Sequence, residues 1–586
     1  MITAYAQSST ICHDDGRVTF KYKNDHAKEV LVDVQFAGSN PMTRDADGVW
    51  TATLGPAAPD MYPYCFIVDG ISVMDPENNQ YFPNEGFKNS LLDIPSKNGQ
   101  LIHDIRNVPH GDVEYIRYHS NSLGGTNNAI VYLPPSYHHD KERKYPVFYL
   151  ISGTTDTEEV YYKVGRVNYI LDNLIADGAA EEMIVVLPYG NPTKLLPTPP
   201  KDIMAMGDVF GKDLTTDLMP YIESQYRTIN DSNHRAIGGF SRGGNQGLAC
   251  GLTNLDKFSY LCSYSSFTST EIPDVYDKAD ETNGKINLFW LGVGTDDFLY
   301  GNARDYMEFL DKKGIRSVKE FTHDKFGHTW MNAKYFLDKS LRLLFRQDIA
   351  EEAMKNGQPT LAATGNEPQF TPGVMARLFP RPIISPEYKE DGIIFRMKAP
   401  EAEKVMFMSE YLSEPLAMQR DSEGVWETEI KDNIHDTFTY YFLVDGTPVA
   451  DPQNMYLAPS VGFKPSISRH PENSTLRALP GKEIAHGKVR YDLNNGTATY
   501  FPPKNDEADL DAAVVRLIPG NNETAESWFR TGGADILADM LIAGKKCKPS
   551  ILTTAPVETE LVVNADDYYT WEERRNALEK LLEKNM

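Results

Sequence analysis

The sequence predicts a parallel α/β domain set between two all-β, immunoglobulin-like sandwich domains, followed by a truncated α/β remnant. Three observations predict it: a motif series that returns in one register, a central run of apolar strands alternating with helical patterns, and an echo of that centre near the C-terminus. At 586 residues the chain is too long for one hydrophobic core and calls for several domains.

The repeat fixes the flanks. Asp15-Gly16 ahead of Val18-Thr19-Phe20 returns as Asp391-Gly392 ahead of Ile393-Ile394-Phe395. Gly48-Val49-Trp50 returns as Gly424-Val425-Trp426, and Phe66-Ile67-Val68-Asp69-Gly70 as Phe442-Leu443-Val444-Asp445-Gly446. Asp75-Pro76, Gly86-Phe87-Lys88 and His110-Gly111 match Asp451-Pro452, Gly462-Phe463-Lys464 and His486-Gly487. The offset from Trp50 to Trp426, as from Asp69 to Asp445, is 376, and chance does not hold one register that far. Each copy alternates apolar and polar residues in short runs broken by Gly, Pro and Asp, which reads as a small antiparallel sandwich over 1–100 and over 383–480. The Val-Asp-Gly triplets are expected at hairpin turns, and Trp50 and Trp426 in the two cores.

Over 112–350 the texture changes to buried strands, read at Val147–Ile151, Met183–Leu187, Arg235–Phe240 and Ile286–Val293, alternating with longer helical patterns. That alternation is the mark of a parallel sheet. Asp213–Tyr226 sets Leu214, Leu218, Tyr221 and Ile222 on one helical face. Five prolines between Asn356 and Pro382 predict a linker or surface strap over 351–382. Beyond 488, Leu517-Ile518-Pro519-Gly520 echoes Leu150-Ile151-Ser152-Gly153, and 536–543 echoes 170–176. Residues 488–586 therefore read as a degenerate copy that stops before a nucleophile and serves packing or binding.

Charge narrows the partners. A formal −25, from 58 Lys and Arg against 83 Asp and Glu, repels nucleic acid and anionic membranes. No apolar run is long enough to span a bilayer. The five cysteines lack metal-site spacing, and no metal or organic cofactor is expected. Ala4-Tyr5-Ala6-Gln7 looks like the end of a cleaved signal, so a secreted or periplasmic protein with its signal trimmed is expected.

The chemistry centres on Gly239-Phe240-Ser241-Arg242-Gly243. A predicted strand runs into Ser241 and a helical stretch follows it. A nucleophile elbow needs this arrangement, because the sharp turn exposes the serine Oγ at the strand's C-terminal end. The hydroxyl needs a base and the base a carboxylate, in the chain order Ser, acid, His. Asp297, beside its competitor Asp296, stands just past the C-terminal end of the strand that closes at Val293, and His328 follows in Phe326-Gly327-His328, with His323 five residues earlier. The N–H of Arg242 and that of Gly153 or Thr154 are the candidate oxyanion donors. The Arg242 side chain is read as an ion-pair partner, a carbohydrate contact or a bystander whose backbone alone matters.

Several stretches carry a family resemblance: Val131-Tyr132-Leu133-Pro134-Pro135, Tyr145-Pro146-Val147, Leu218-Met219-Pro220-Tyr221-Ile222-Glu223, 235–241 and 251–258. Through them the central region, about 230 residues, resembles carbohydrate esterase family 1, which holds bacterial feruloyl esterases, acetylxylan esterases and enterochelin esterases. The resemblance implies an α/β-hydrolase with Ser241, Asp297 and His328 as nucleophile, acid and base. The N-terminal sandwich resembles a carbohydrate-binding-module-48-like domain. One departure is Ser152-Gly153, where the family commonly carries His-Gly. The implied reaction is acyl transfer to Ser241 and then to water, rising as an imidazole base deprotonates near pH ~6–7.

The expected substrate is a feruloylated arabinoxylan fragment of the plant cell wall. Trp330, Phe210 and Met206 are the candidate lining of the acyl slot. Acetylxylan and a silent, glycan-binding role are the alternatives.

Overall fold

The computed structural model describes residues 9–96, 99, 101–191, 207–323, 326–371, 383–389, 391–431, 437–469, 484–503 and 512–584. They fall into two compact units, one of 96–380 and one of 1–95 together with 381–586. Among the described residues no helix is long and apolar enough to cross a membrane.

The 96–380 unit is an α/β-hydrolase-like domain. Its strands run in the order Val318–Thr322, Leu288–Gly294, Tyr260–Tyr264, Arg235–Phe240, Val147–Ile151, Ile184–Pro188, Gly125–Leu133 and Asp112–Ser120. The last two form an antiparallel hairpin, Gly125–Leu133 pairs antiparallel with Ile184–Pro188, and every other pair is parallel. Every residue of Val147–Ile151, Arg235–Phe240 and Leu288–Gly294 is buried, as parallel strands covered on both faces must be. The expected helix at 213–226 is a widened π turn, Leu214–Leu218, leading into a helix, Met219–Gln225. Pro220 has no N–H for the regular ladder, and the wider turn absorbs that loss. The segment expected as a linker begins as a helix, Gln347–Lys355, and its described continuation lies along the domain as a strap.

In the other unit the duplicated region forms two sandwiches that match strand for strand. In the first, Val18–Lys23 pairs with Val49–Leu54 in one sheet and Val30–Val34 with Met61–Val68 in the other, and Phe20 meets Tyr64 across the core at 5.3 Å. The second repeats this with Gly392–Lys398 on Val425–Lys431, Val405–Ser409 on Thr437–Val444, and Phe395 on Tyr440 at 4.6 Å. Asp69 and Gly70 both have positive φ (47° and 85°), as do Asp445 and Gly446 (48° and 89°). Two successive positive φ values define the hairpin turn whose twist suits paired strands, which explains Asp-Gly in both copies. Trp50 and Trp426 are buried, each donating its indole N–H to a backbone carbonyl, of Asn24 and Ala399.

The copies also pack on each other through equivalent residues. Met74 and Tyr81 of the first and Ala450 and Leu457 of the second form one buried cluster. Lys464 donates to the Asn78 carbonyl at 2.6 Å, and Asn24 to the Thr447 hydroxyl at 3.1 Å.

The C-terminal strands correct the expectation of simple truncation. Lys488–Asp492, Thr497–Phe501, Ser550–Thr553, Ala513–Ile518 and Val562–Asn564 follow one another in that order. Their pairing senses are those of Asp112–Ser120, Gly125–Leu133, Ile184–Pro188, Val147–Ile151 and Arg235–Phe240. A buried node recurs too: Asp172 accepts from Tyr132, His110 and the Gly111 N–H, and Asp539 from Tyr500, His486 and the Gly487 N–H. Val562–Asn564 thus takes the place of the strand that leads to Ser241. After it comes one short turn, Ala565–Asp567, and then the helix Trp571–Lys584. Trp571 stands edge-on to Trp528 at 5.7 Å, as Trp330 does to Tyr161 at 4.8 Å, so this helix matches the one that follows His328. Between Val562–Asn564 and this helix lie only the residues 565–570, with no serine and no histidine among them.

Candidate active site

The elbow forms because the strand Arg235–Phe240 and the helix Arg242–Thr253 leave one residue, Ser241, to make the turn. Ser241 has φ 57° and ψ −124°, a conformation that a side-chain-bearing residue keeps only when its surroundings impose it. The surroundings here are tight. A Cβ on Gly239 or Gly243 would collide with the Ile151 carbonyl oxygen, so small residues at both places let the turn press against the neighbouring strand.

Three predicted side chains meet. His328 Nε2 lies 2.9 Å from Ser241 Oγ, and His328 Nδ1 lies 3.0 and 2.9 Å from the two carboxylate oxygens of Asp297. Asp297 is fully buried and also accepts the Leu299 N–H at 2.8 Å. Asp296, the competitor, is exposed. His323 is exposed as well and lies 3.4 Å from the Thr295 hydroxyl instead. The base loop is held by Asn332, which donates to the Gly327 carbonyl and accepts from Thr322. The imidazole itself is stacked on Phe240 at 4.7 Å and flanked by Phe298 at 4.4 Å.

The loop that carries two of the candidate oxyanion donors is held by side chains, one of them from the elbow. Arg242 opens the helix, so its N–H is one the helical ladder does not use. Its side chain turns back and donates to the Gly153 carbonyl at 2.9 Å. Asn191 donates to the Thr154 carbonyl at 2.8 Å, fixing the same loop. Arg242 therefore ties the loop at 153–154 to the elbow, a role absent from the three read in the sequence. The Ser152 hydroxyl is buried and points to the Asp156 carbonyl at 3.4 Å.

Two expected lining residues are corrected. Trp330 is buried, wedged between Tyr161 and Phe240 at 4.8 and 5.3 Å, so it packs as a support under the base loop and not as an open wall of a slot. Phe210 is 1% exposed, inside the helix Gly207–Asp213. Met206 lies outside the described residues. Phe298 carried no signal in the sequence beyond its place next to Asp297.

A strand-turn-helix elbow, with a serine, a histidine and a buried aspartate in a hydrogen-bonded line beside it, defines the class: an α/β-hydrolase-like domain. Residues 120–326 match the model of the Esterase family. The chain is 30% identical over 351 residues to an endo-1,4-beta-xylanase/feruloyl esterase of Xylanibacter ruminicola, spanning 58% of this chain and 46% of that protein. It is 27% identical over 209 residues to endo-1,4-beta-xylanase Y of Acetivibrio thermocellus, spanning 32% of this chain and 18% of that one. It therefore spans less than half the length of either curated relative. Among solved structures, a CE1 ferulic acid esterase from Anaeromyces mucronatus aligns at 22% identity with a TM-score of 0.35, over 41% of this chain and 92% of that one.

Proposed function

We propose that this chain is a serine carboxylesterase that releases ferulate from arabinoxylan of the plant cell wall. The carrying observation is the line Asp297–His328–Ser241, with His328 Nε2 at 2.9 Å from the serine Oγ. In this reading His328 takes the Ser241 proton as Oγ attacks the ester carbonyl. The N–H of Arg242 and that of Gly153 or Thr154 hold the oxyanion. His328 then returns the proton to the departing sugar hydroxyl, and water releases the acid by the same route. Ferulate is the acyl group because the named relatives that share the sequence include a xylanase/feruloyl esterase. The paired sheets are read as immunoglobulin-like sandwiches, the N-terminal one akin to carbohydrate-binding module 48. A polymer substrate that lies outside the cell fits an exported enzyme.

Hydrolysis of methyl ferulate beside a small acetyl ester, by wild type and Ser241→Ala, tests the reading. Preferred cleavage of the ferulate ester, abolished by the substitution, is expected. Acetyl-only cleavage moves the substrate to acetylxylan. Absence of Ser241-dependent turnover leaves a silent glycan-binding role.

A further inference from the structure

The strap that follows the hydrolase fold is pinned along the helix Tyr300–Lys313 at four points. Thr360 donates to Asp311 at 2.6 Å, Arg304 to the Leu361 carbonyl at 3.0 Å, the Gly301 N–H to the Pro368 carbonyl at 2.8 Å, and the Phe370 N–H to Asn302 at 2.7 Å. A Cβ at Gly301 would strike Gln369 and come within 2.6 Å of the Pro368 carbonyl, so the glycine is what lets the strap lie this close. The consequence is local and specific: Phe370 is set against Phe298, ring centroids 5.8 Å apart, and Phe298 in turn flanks His328 at 4.4 Å. Both phenylalanines are only partly buried. Phe370 lies outside the residues matched to the Esterase family.

We propose that Phe298 and Phe370 form the platform for the leaving sugar. The inference rests on the esterase reading above and names the side of the site it concerns. A base that returns its proton to the leaving oxygen must have the alcohol at its Nε2 edge, so groups flanking the imidazole border the alcohol and not the acyl chain. The other ring packed on the imidazole, Phe240, is buried and offers no open face. A partly exposed aromatic pair beside the base offers flat apolar area to the C–H face of a pentose or hexose, with little side-chain entropy to lose. The partner is therefore the carbohydrate moiety of the ester, contributing binding energy remote from the reacting carbon.

The test compares a feruloylated arabinoxylo-oligosaccharide with methyl ferulate, whose leaving group is too small to stack. The ratio of their kcat/KM values is expected to fall about tenfold in Phe370→Ala, chiefly through KM on the oligosaccharide, and to be largely restored in Phe370→Tyr. Phe298→Leu is expected to move the ratio the same way. A ratio within twofold of wild type, including one that is constant because both substrates weaken together as for an acyl wall, overturns the proposal. If wild type shows no Ser241-dependent turnover of methyl ferulate, it is the esterase reading that has failed.

Discussion

Arg242 reaches back from the first turn of its helix to donate to the carbonyl of Gly153 at 2.9 Å. The two backbone segments proposed to hold an oxyanion are thereby joined by a side chain of one to the main chain of the other. Preorganised donors stabilise a developing charge only if they do not have to move to meet it.

Loosening that tie is expected to act on the chemical step. Arg242→Ala should lower kcat on methyl ferulate by about 10- to 100-fold while changing KM little. Steady-state kinetics checks this, and a loss confined to KM would assign the side chain to substrate binding instead.

The two adjacent acids separate cleanly by mutation. Asp297→Asn should cost roughly 10³–10⁴ in kcat, because an amide cannot hold the imidazole in the same tautomer or stabilise its charged form. Asp296→Asn, on an exposed carboxylate, should stay within about threefold of wild type. Equal losses in the two variants would contradict the assignment.

Strain at the elbow predicts a trade of activity for stability. With φ at 57°, Ser241 sits where glycine is comfortable and a Cβ is not. Ser241→Gly should abolish hydrolysis and raise the melting temperature of the central domain by about 2–4 °C. Ser241→Ala, which keeps the Cβ, should abolish hydrolysis without that gain. Calorimetry distinguishes them.

The second sandwich carries a pH dependence. Burial pushes the Asp451 carboxyl up to about 6, against the bonds from Ser385, the Gln453 N–H and Tyr440 that pull it down. A carboxyl whose folded value lies above its unfolded value of about 4 contributes stability that is full below pH ~4 and lost as the pH rises through 6. Asp451→Asn should therefore flatten the fall in stability between pH 4 and 7 by about 3 kcal/mol relative to wild type. Urea denaturation across that range measures it, and parallel curves would show that Asp451 stays ionised.

Much of the site was legible because its chemistry forces a local pattern. The elbow leaves Gly-x-Ser-x-Gly since two residues must lie against Ile151, and the order serine, acid, histidine follows from the sheet. The choice between Asp296 and Asp297 was not legible in spacing alone, since neighbours past a strand end point to opposite sides and only one meets His328. Trp330 misled because an aromatic next to a base reads the same whether it faces the ligand or props the loop from below. Phe370 was illegible for the opposite reason: it arrives from a proline-rich stretch with no periodicity, and only the hydrogen bonds of the strap bring it to the site. The second copy's missing middle left no motif. Strand pairing and the placing of Trp571 against Trp528 reveal it.

The buried cluster of Met74, Tyr81, Ala450 and Leu457 places each residue of one sandwich with its counterpart of the other, as the faces of a two-fold homodimer would be. Duplication has tethered those faces in one polypeptide. Their association is then a first-order event that no dilution can reverse, and the apolar patch a single copy would offer to neighbouring molecules is occupied from within. The tether converts a concentration-dependent assembly into a permanent part of the fold.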